Sequence, residues 1–283
     1  MAEKRIIVLG ANGLLGTLLT ERLKLNASLK VLTHSQSSNA DLVSDLSSEK
    51  EVEHLLKQSK PDICVNTMAL TDVNLCETDK EMARKLNVLP VQNIVTCVLS
   101  HKLNLKLIQI STDHVYDKLN AKENEVKILN NYALSKYVAD EVSQIIPTCV
   151  LRTNFFGKSA SKKQSFSDWI LDSLVTNKKL QGFKDVFFSP LHTSTLCAEI
   201  ERCLLSFNPG VYNLGSRSGL SKYQFMIELA KHKGFSTEQI SPIDYAQANI
   251  ALLRPKEMRM DVLKYEKLYQ VQLPTLMEEI QKC

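Results

Sequence analysis

The chain has no apolar run approaching the ~18–20 residues that span a bilayer as a helix, so no membrane partner is expected. It has no Cys-x-x-Cys pair, and its 7 cysteines are odd in number. Most of them (Cys64, Cys97, Cys149, Cys197, Cys203) lie inside apolar stretches. That pattern argues against a disulfide framework or a zinc ribbon, and for reduced, buried thiols in a cytoplasmic protein with no metal. No long run of one charge occurs either. The 35 Lys+Arg stand against 31 Asp+Glu, a scattered surplus of +4, which excludes a nucleic-acid partner, and Lys178-Lys179 reads as a solvated turn. There is no internal repeat, no low-complexity tract and no flexible linker. The start, Met-Ala-Glu-Lys-Arg, passes straight into Ile6-Ile7-Val8-Leu9 without the apolar core and small-residue cleavage site of a secretory signal.

What is present is strand-helix alternation. Short apolar runs predict strands at Arg5–Leu9, Leu29–Thr33, Asp62–Asn66, Lys106–Ser111 and Cys149–Arg152. Several are apolar on both faces, as a parallel sheet covered by helices requires. Between them, Leu14–Leu25 reads as a helix, Ser48 with Glu51 reads as a capping box, Pro90 opens a helix, and another runs from Tyr132 to Ile146. Beyond Gly157, helices are expected over Phe166–Val175 and Thr193–Leu205, with Trp169 in the core, and a strand over Val211–Leu214. A second capping box, Ser221 with Gln224, opens a helix that Gly234 closes. The expected fold is α/β, a doubly wound parallel sheet of the Rossmann type over residues 1–157. Residues 158–283 are expected to form mainly a smaller substrate lobe, with some chain returning to the sheet.

The first strand ends in Gly10-Ala11-Asn12-Gly13-Leu14-Leu15-Gly16. Glycines at that spacing, between a strand and a helix, allow a tight turn, close approach of backbone to a pyrophosphate, and helix packing on the strand. Gly10, Asn12, Gly13, Leu14 and Gly16 are therefore candidate cofactor contacts. The second strand leads into His34-Ser35-Gln36-Ser37, with no acid to hold ribose hydroxyls and none to repel a 2′-phosphate. NADP(H) is favoured over NAD(H), with His34 and Ser35 at the adenosine end and Asp45-Leu46 beside the adenine.

The fourth main strand ends in Ser111-Thr112-Asp113, where a doubly wound sheet places its ligands. Tyr132 and Lys136, four apart, share one helix face. An ammonium beside a phenol favours the phenolate and makes it a usable proton donor near neutrality. Tyrosine and lysine four apart are common by chance; following a glycine loop and strand-end hydroxyls, the pair gains meaning.

These motifs together resemble the extended short-chain dehydrogenase/reductases. Within them the chain is similar to the dTDP-4-dehydrorhamnose reductase branch, which also holds the regulatory subunit of methionine adenosyltransferase. The resemblance runs through Asp62-Ile63-Cys64-Val65-Asn66-Thr67-Met68-Ala69, Val73-Asn74-Leu75-Cys76-Glu77, Asn87-Val88-Leu89-Pro90, Ser111-Thr112-Asp113-His114-Val115-Tyr116, Tyr132-x-x-x-Lys136, Leu151-Arg152-Thr153-Asn154 and Arg254-Pro255 with Asp261. It implies Tyr132 as catalytic acid/base, Lys136 on the nicotinamide ribose, and Thr112 on the reacting sugar oxygen. It further implies Met68 and Ala69 along the cofactor groove, Asn87 organising the site, and Ser111, Asp113, Asn154, His192 and Arg254 on the substrate side. Ala133 stands where the branch has glycine, Lys127-Ile128-Leu129 replaces a proline region, and Asn154-Phe155 replaces Ser-Trp. His114 stands where the branch commonly has tyrosine and is read as a spacer.

The activity this implies is NAD(P)H-dependent reduction of a nucleotide-activated 4-keto-deoxysugar, in a cytoplasmic protein with a homodimer as the expected assembly. Two alternatives stand beside it. One is a non-catalytic, dinucleotide-binding regulatory subunit. The other is a nucleotide-sugar epimerase or dehydratase, against which the lack of a second acid after Asp113 counts.

Overall fold

The computed structural model describes residues 3–37, 39–159, 164–248 and 252–283. Its main sheet is built on β1 (Lys4–Leu9), β2 (Leu29–Ser35), β3 (Leu42–Val43), β4 (Ile63–Asn66), β5 (Lys106–Thr112) and β6 (Thr148–Thr153), with Gly210–Leu214 at one edge. The order from that edge is Gly210–Leu214, β6, β5, β4, β1, β2, β3, and β1 pairs in parallel with both β2 and β4. Consecutive strands thus move outward in one direction from β1 to β3 and in the other from β4 onward. The reversal between β1 and β4 opens a crevice at their carboxyl ends. Ile6, Ile7, Val8 and Leu9 are all fully buried, because both faces of a central parallel strand are covered by helices.

The sheet's helices are α1 (Leu14–Lys24), α2 (Glu49–Ser59), α3 (Val73–Thr78), α4 (Lys80–Asn87), α5 (Leu89–Ser100) and α6 (Asn131–Ser143). Val52, Leu55 and Leu56 of α2 pack with Val91, Ile94, Val95 and Val98 of α5 in one buried cluster. Pro90 lies in the first turn of α5, as read from the sequence. The capping box expected at Ser48 does not form: Ser48 is the N-cap of α2 without a side-chain bond. The Glu51 carboxylate instead accepts from the backbone N–H of Asp45. Asp72 and Asp79, neither singled out in the sequence, cap α3 and α4. Helix α6 stops at Ser143 rather than Ile146. The next residues form a turn in which Ile146 N–H donates to Ser143, since the position before Pro147 disfavours helix.

By contacts the chain resolves into two compact units. The first holds Met1–Ser111, Asn130–Leu151 and Cys197–Val211, and the second holds Thr112–Leu129, Arg152–Leu196 and Tyr212–Cys283. The second unit has its own core, in which Phe156, Phe188 and Phe225 meet edge to face. Helices α7 (Phe166–Val175), α8 (Thr193–Leu205) and α9 (Lys222–His232) lie where the sequence put them. The Ser221–Gln224 capping box forms at the start of α9, and Gly234 follows its end with φ +73°. Trp169 departs from expectation. It is 41% exposed, stacked on Phe166 with ring centroids 5.9 Å apart, because Ile170 and Leu174 already fill the buried face of α7.

Candidate functional site

In the first unit the glycine loop is held by backbone. Gly10 and Ala11 N–H both donate to the carbonyl of His34 at 3.0 Å. Gly10 has φ +77°, and a Cβ there would lie 2.8 Å from Met68 Cγ. A Cβ on Gly16 would stand 2.2 Å from the Gly10 carbonyl, so the helix approaches the strand as closely as glycine permits. Gly13 is exposed and has φ −79°, and it is the N-cap of α1 with no side chain to offer. The first-turn N–H groups from Leu14 onward are therefore uncapped by any side chain, which suits a bound anion.

At the end of β2, Asn12 Nδ2 donates to Ser35 Oγ at 3.0 Å, tying the loop to the strand. The His34 imidazole is fully buried and its Nε2 lies 3.0 Å from Ser44 Oγ. Burial lowers its pKa, and what His34 gives the loop is its carbonyl rather than its ring. Asp45 Oδ1 accepts from Ser47 N–H, which lowers the Asp45 pKa. Leu46 is buried in the core. Asp41, unnoticed in the sequence, folds back so that Oδ2 accepts from Thr33 N–H at 2.9 Å and from its hydroxyl at 2.7 Å. The only clue was a carboxylate a few residues beyond a strand end.

Met68 N–H donates to Asn66 Oδ1 at 3.1 Å, which turns the chain after β4, and Ala69 is exposed beyond it. Asn87 clips this segment: its Oδ1 accepts from Leu70 N–H at 2.7 Å, and its Nδ2 donates to Leu70 O and to Ser135 Oγ. Asn87 therefore joins the loop after β4 to α6.

Helix α6 carries Tyr132 and Lys136. Its N-cap Asn130 accepts from Ala133 N–H at 2.9 Å, and the Glu77 carboxylate accepts from Asn131 N–H at 3.0 Å. The Tyr132 ring packs with Cys76 and Ala83, flanked by Leu70 and Val73. Lys136 is buried and donates to the Ile110 carbonyl at 2.7 Å. Burial lowers its pKa to about 8, opposed by the Asp140 carboxylate. Asp140 in turn accepts from Ser111 Oγ at 2.8 Å. Tyr132, Lys136 and Asp140 recur every four residues, so that spacing held the clue to Asp140.

In the second unit the structure brings Thr112, Asp113 and Asn154 together. Asp113 Oδ2 accepts from Asn154 Nδ2 at 2.8 Å, and Oδ1 accepts from the Thr112 hydroxyl at 3.4 Å. Burial raises the Asp113 pKa to about 6 against the pull of Asn154 and Lys222. Lys222, absent from the sequence-derived candidates, has its pKa lowered to about 8 by burial, while Asp113 opposes that shift. Its Nζ lies 3.3 Å from the centroid of the Phe188 ring. The His114 imidazole has its pKa lowered to about 3 by burial, then by the charges of Lys222 and Arg254. His192 has its bonds elsewhere: ring Nδ1 lies 2.7 Å from Ser194 Oγ, and the backbone N–H of His192 donates to the Glu279 carboxylate.

Among the described residues no group of three His, Cys, Asp or Glu could hold a metal ion, and no helix is long and apolar enough to cross a membrane.

Residues 4–283 match the model of the family described as RmlD substrate binding domain. The chain is 25% identical over 244 residues, 84% of its length, to the spore coat polysaccharide biosynthesis protein SpsK of Bacillus subtilis (strain 168), covering 82% of that protein. It is 24% identical over 282 residues, 94% of its length, to methionine adenosyltransferase 2 subunit beta of Xenopus laevis, covering 83% of it. Among solved structures, dTDP-4-dehydrorhamnose reductase from Bacillus anthracis str. Ames in complex with NADP superposes with TM-score 0.89. The match is at 21% identity and covers 100% of this chain and 98% of that one.

Proposed function

The chain belongs to the RmlD substrate binding domain family, and from that membership we propose that it is an NAD(P)H-dependent reductase of a nucleotide-activated 4-keto-deoxysugar. The observation that carries this reading is the buried Lys136, fixed on the Ile110 carbonyl one turn from Tyr132 on α6. A buried ammonium is costly without a task. Here the task is to favour loss of the Tyr132 proton and to take ribose hydroxyls of the cofactor.

The residues present fit NADP(H). The uncapped start of α1, Gly13 and the backbone of Gly10–Gly16 would hold the pyrophosphate, and Asn12 with Ser35 would hold the adenosine end. When bound, NADPH supplies hydride to the carbonyl carbon. Tyr132 supplies the proton to the carbonyl oxygen from its phenol, and Lys136 stabilises the phenolate left behind. Asn87, by clipping Leu70 and Ser135, keeps α6 and the loop after β4 in register. We assign Thr112 to the substrate oxygen, and Asp113, Asn154 and Arg254 to the sugar nucleotide. Binding energy from the nucleotide holds the sugar for transfer.

The test is Tyr132→Phe, which keeps the ring and its packing. General acid–base catalysis is worth ~10²–10⁴-fold, so turnover of a nucleotide 4-keto-sugar should fall by about that factor while NADPH affinity stays. Turnover at the parent rate would sink the mechanism. The second reading, a regulatory subunit, is favoured by the likeness to the adenosyltransferase subunit. Absence of NADPH oxidation with every nucleotide keto-sugar, before and after the substitution, would select it.

A further inference from the structure

The segment His34-Ser35-Gln36-Ser37 lacks an acid, and no candidate role falls on Ser37 from the sequence. In the first unit the structure joins its hydroxyls into a relay with one direction. Ser35, the last residue of β2, is 6% exposed. Its Oγ accepts from Asn12 Nδ2 at 3.0 Å and from Ser37 N–H at 3.1 Å. A hydroxyl oxygen has two lone pairs and one proton. Those two N–H groups take both lone pairs, so the Ser35 proton goes to the third neighbour, Ser37 Oγ, 3.3 Å away. Ser37 Oγ thus accepts from Ser35 and keeps its own proton, on an exposed residue. The bonds run from Asn12 to Ser35 to Ser37 and end in an outward O–H. Asp41 does not reverse them. Its Oδ2 is taken up by the N–H and hydroxyl of Thr33, two residues earlier on β2 and so about 6–7 Å nearer the strand's amino end.

We propose that Ser37 reads the 2′ position of the cofactor's adenosine ribose: the relay from Asn12 through Ser35 makes its hydroxyl a donor, and a donor there selects the 2′-phosphate of NADP(H) over the 2′-hydroxyl of NAD(H). That a dinucleotide binds at all rests on the function proposed above; the choice between its two forms rests on the direction of these bonds. In a doubly wound sheet the chain just past the second strand meets the adenosine ribose, and Ser37 stands two residues beyond the end of β2. Phosphate oxygens only accept, and a hydrogen bond to a charged oxygen is stronger than one between neutral groups. A ribose 2′-hydroxyl is held best by a carboxylate that accepts its proton, and the relay offers no carboxylate. Ser35 acts through its neighbour. With both lone pairs filled it cannot accept from a ligand, and it sets which way the Ser37 proton points. Bonds aligned in one sense also polarise each other, which strengthens the last donor.

Dissociation constants of NADPH and NADH, measured on the full chain by nicotinamide fluorescence, test this without any sugar substrate. The parent protein should bind NADPH more tightly. Ser37→Ala, at an exposed position, should weaken NADPH about tenfold and NADH by less than about twofold. Ser35→Ala should cost NADPH affinity in the same sense, because Ser37 then loses the bond that orients it, and Ser35→Thr, which keeps the hydroxyl, should restore the parent preference. Ser37→Asp should reverse the preference, since a carboxylate accepts from a ribose hydroxyl and repels a phosphate. Unchanged NADPH affinity in Ser37→Ala overturns the inference, as does an equal loss for both cofactors. A parent chain that prefers NADH also overturns it, and would mean that the relay runs the other way, with Ser35 donating to Asn12. A chain that binds neither dinucleotide overturns both this inference and the proposed function. One that selects NADPH through Ser37 yet reduces no nucleotide keto-sugar fails only the proposed function.

Discussion

Lys136 has two roles in the proposed mechanism, and they are separable from that of Tyr132. Its ammonium is desolvated, with a pKa near 8, and is anchored to a backbone carbonyl, so it is a fixed charge rather than a mobile one. Lys136→Ala should weaken NADPH binding as well as turnover, whereas Tyr132→Phe should affect turnover alone; titration of cofactor fluorescence beside steady-state rates distinguishes them. Gly13 makes the complementary case on the phosphate side. A Cβ there already stands 3.2 Å from the Gly10 carbonyl, and a branched side chain would project over the uncapped start of α1. Because that contact is tight, Gly13→Val should lower the melting temperature of the cofactor-free protein modestly while leaving its fold intact. It should also abolish most of the ~2.7 kcal/mol stabilisation that a ligand at about a hundred times its Kd confers. A full thermal shift with NADPH would remove this loop from the binding site.

Helix α6 depends on its first turn. Asn130 accepts from Ala133 N–H and Glu77 from Asn131 N–H, immediately beside Tyr132. Asn130→Ala should destabilise the protein by ~1 kcal/mol in urea unfolding, the usual worth of an N-cap. Because the frayed turn carries Tyr132, kcat should fall further than that loss of stability would suggest. Stability lost without a change in kcat would show that the cap serves folding only. This cap was legible in principle, since Asn130 precedes the helix, but the sequence reading began the element at Tyr132. The Ser48–Glu51 pair shows the opposite: a correct local pattern was overruled because the Asp45 N–H lay within reach of Glu51. Capping signals state which groups are able to bond, and tertiary neighbours decide which do.

The molecule carries several histidines held neutral by burial, and together they predict its acid response. His34, His114 and His192 all have pKa values below the ordinary 6.5, that of His114 at about 3. Below pH 6.5 the unfolded chain takes a proton that folded His114 refuses, so stability should fall by about 1.4 kcal/mol for each unit that the pH is lowered, with His34 and His192 contributing in the same direction. Asp113 works against them. Its folded pKa of about 6 lies above the unfolded 3.8, so it gains protons on folding between those values and offsets one histidine there. The net expectation is a melting temperature that drops from pH 6.5 downward, less steeply in His114→Tyr; a flat profile in the parent protein would show that these rings are solvated. At this same scale lies the division between what the residues announced and what folding added. Periodicity and the glycine spacing determined the doubly wound sheet and the glycine turn after β1, because both are local: a strand buried on two faces must be apolar throughout, and a tight turn needs Gly10 and Gly16 wherever the chain goes afterwards. The tertiary structure alone decided that residues 112–129 and 152–196 belong with the C-terminal stretch, that Asp41 returns to Thr33, and that Asn154 bonds Asp113 from 41 residues away. Those pairings depend on desolvation and charge between distant segments, and no spacing along the chain encodes them.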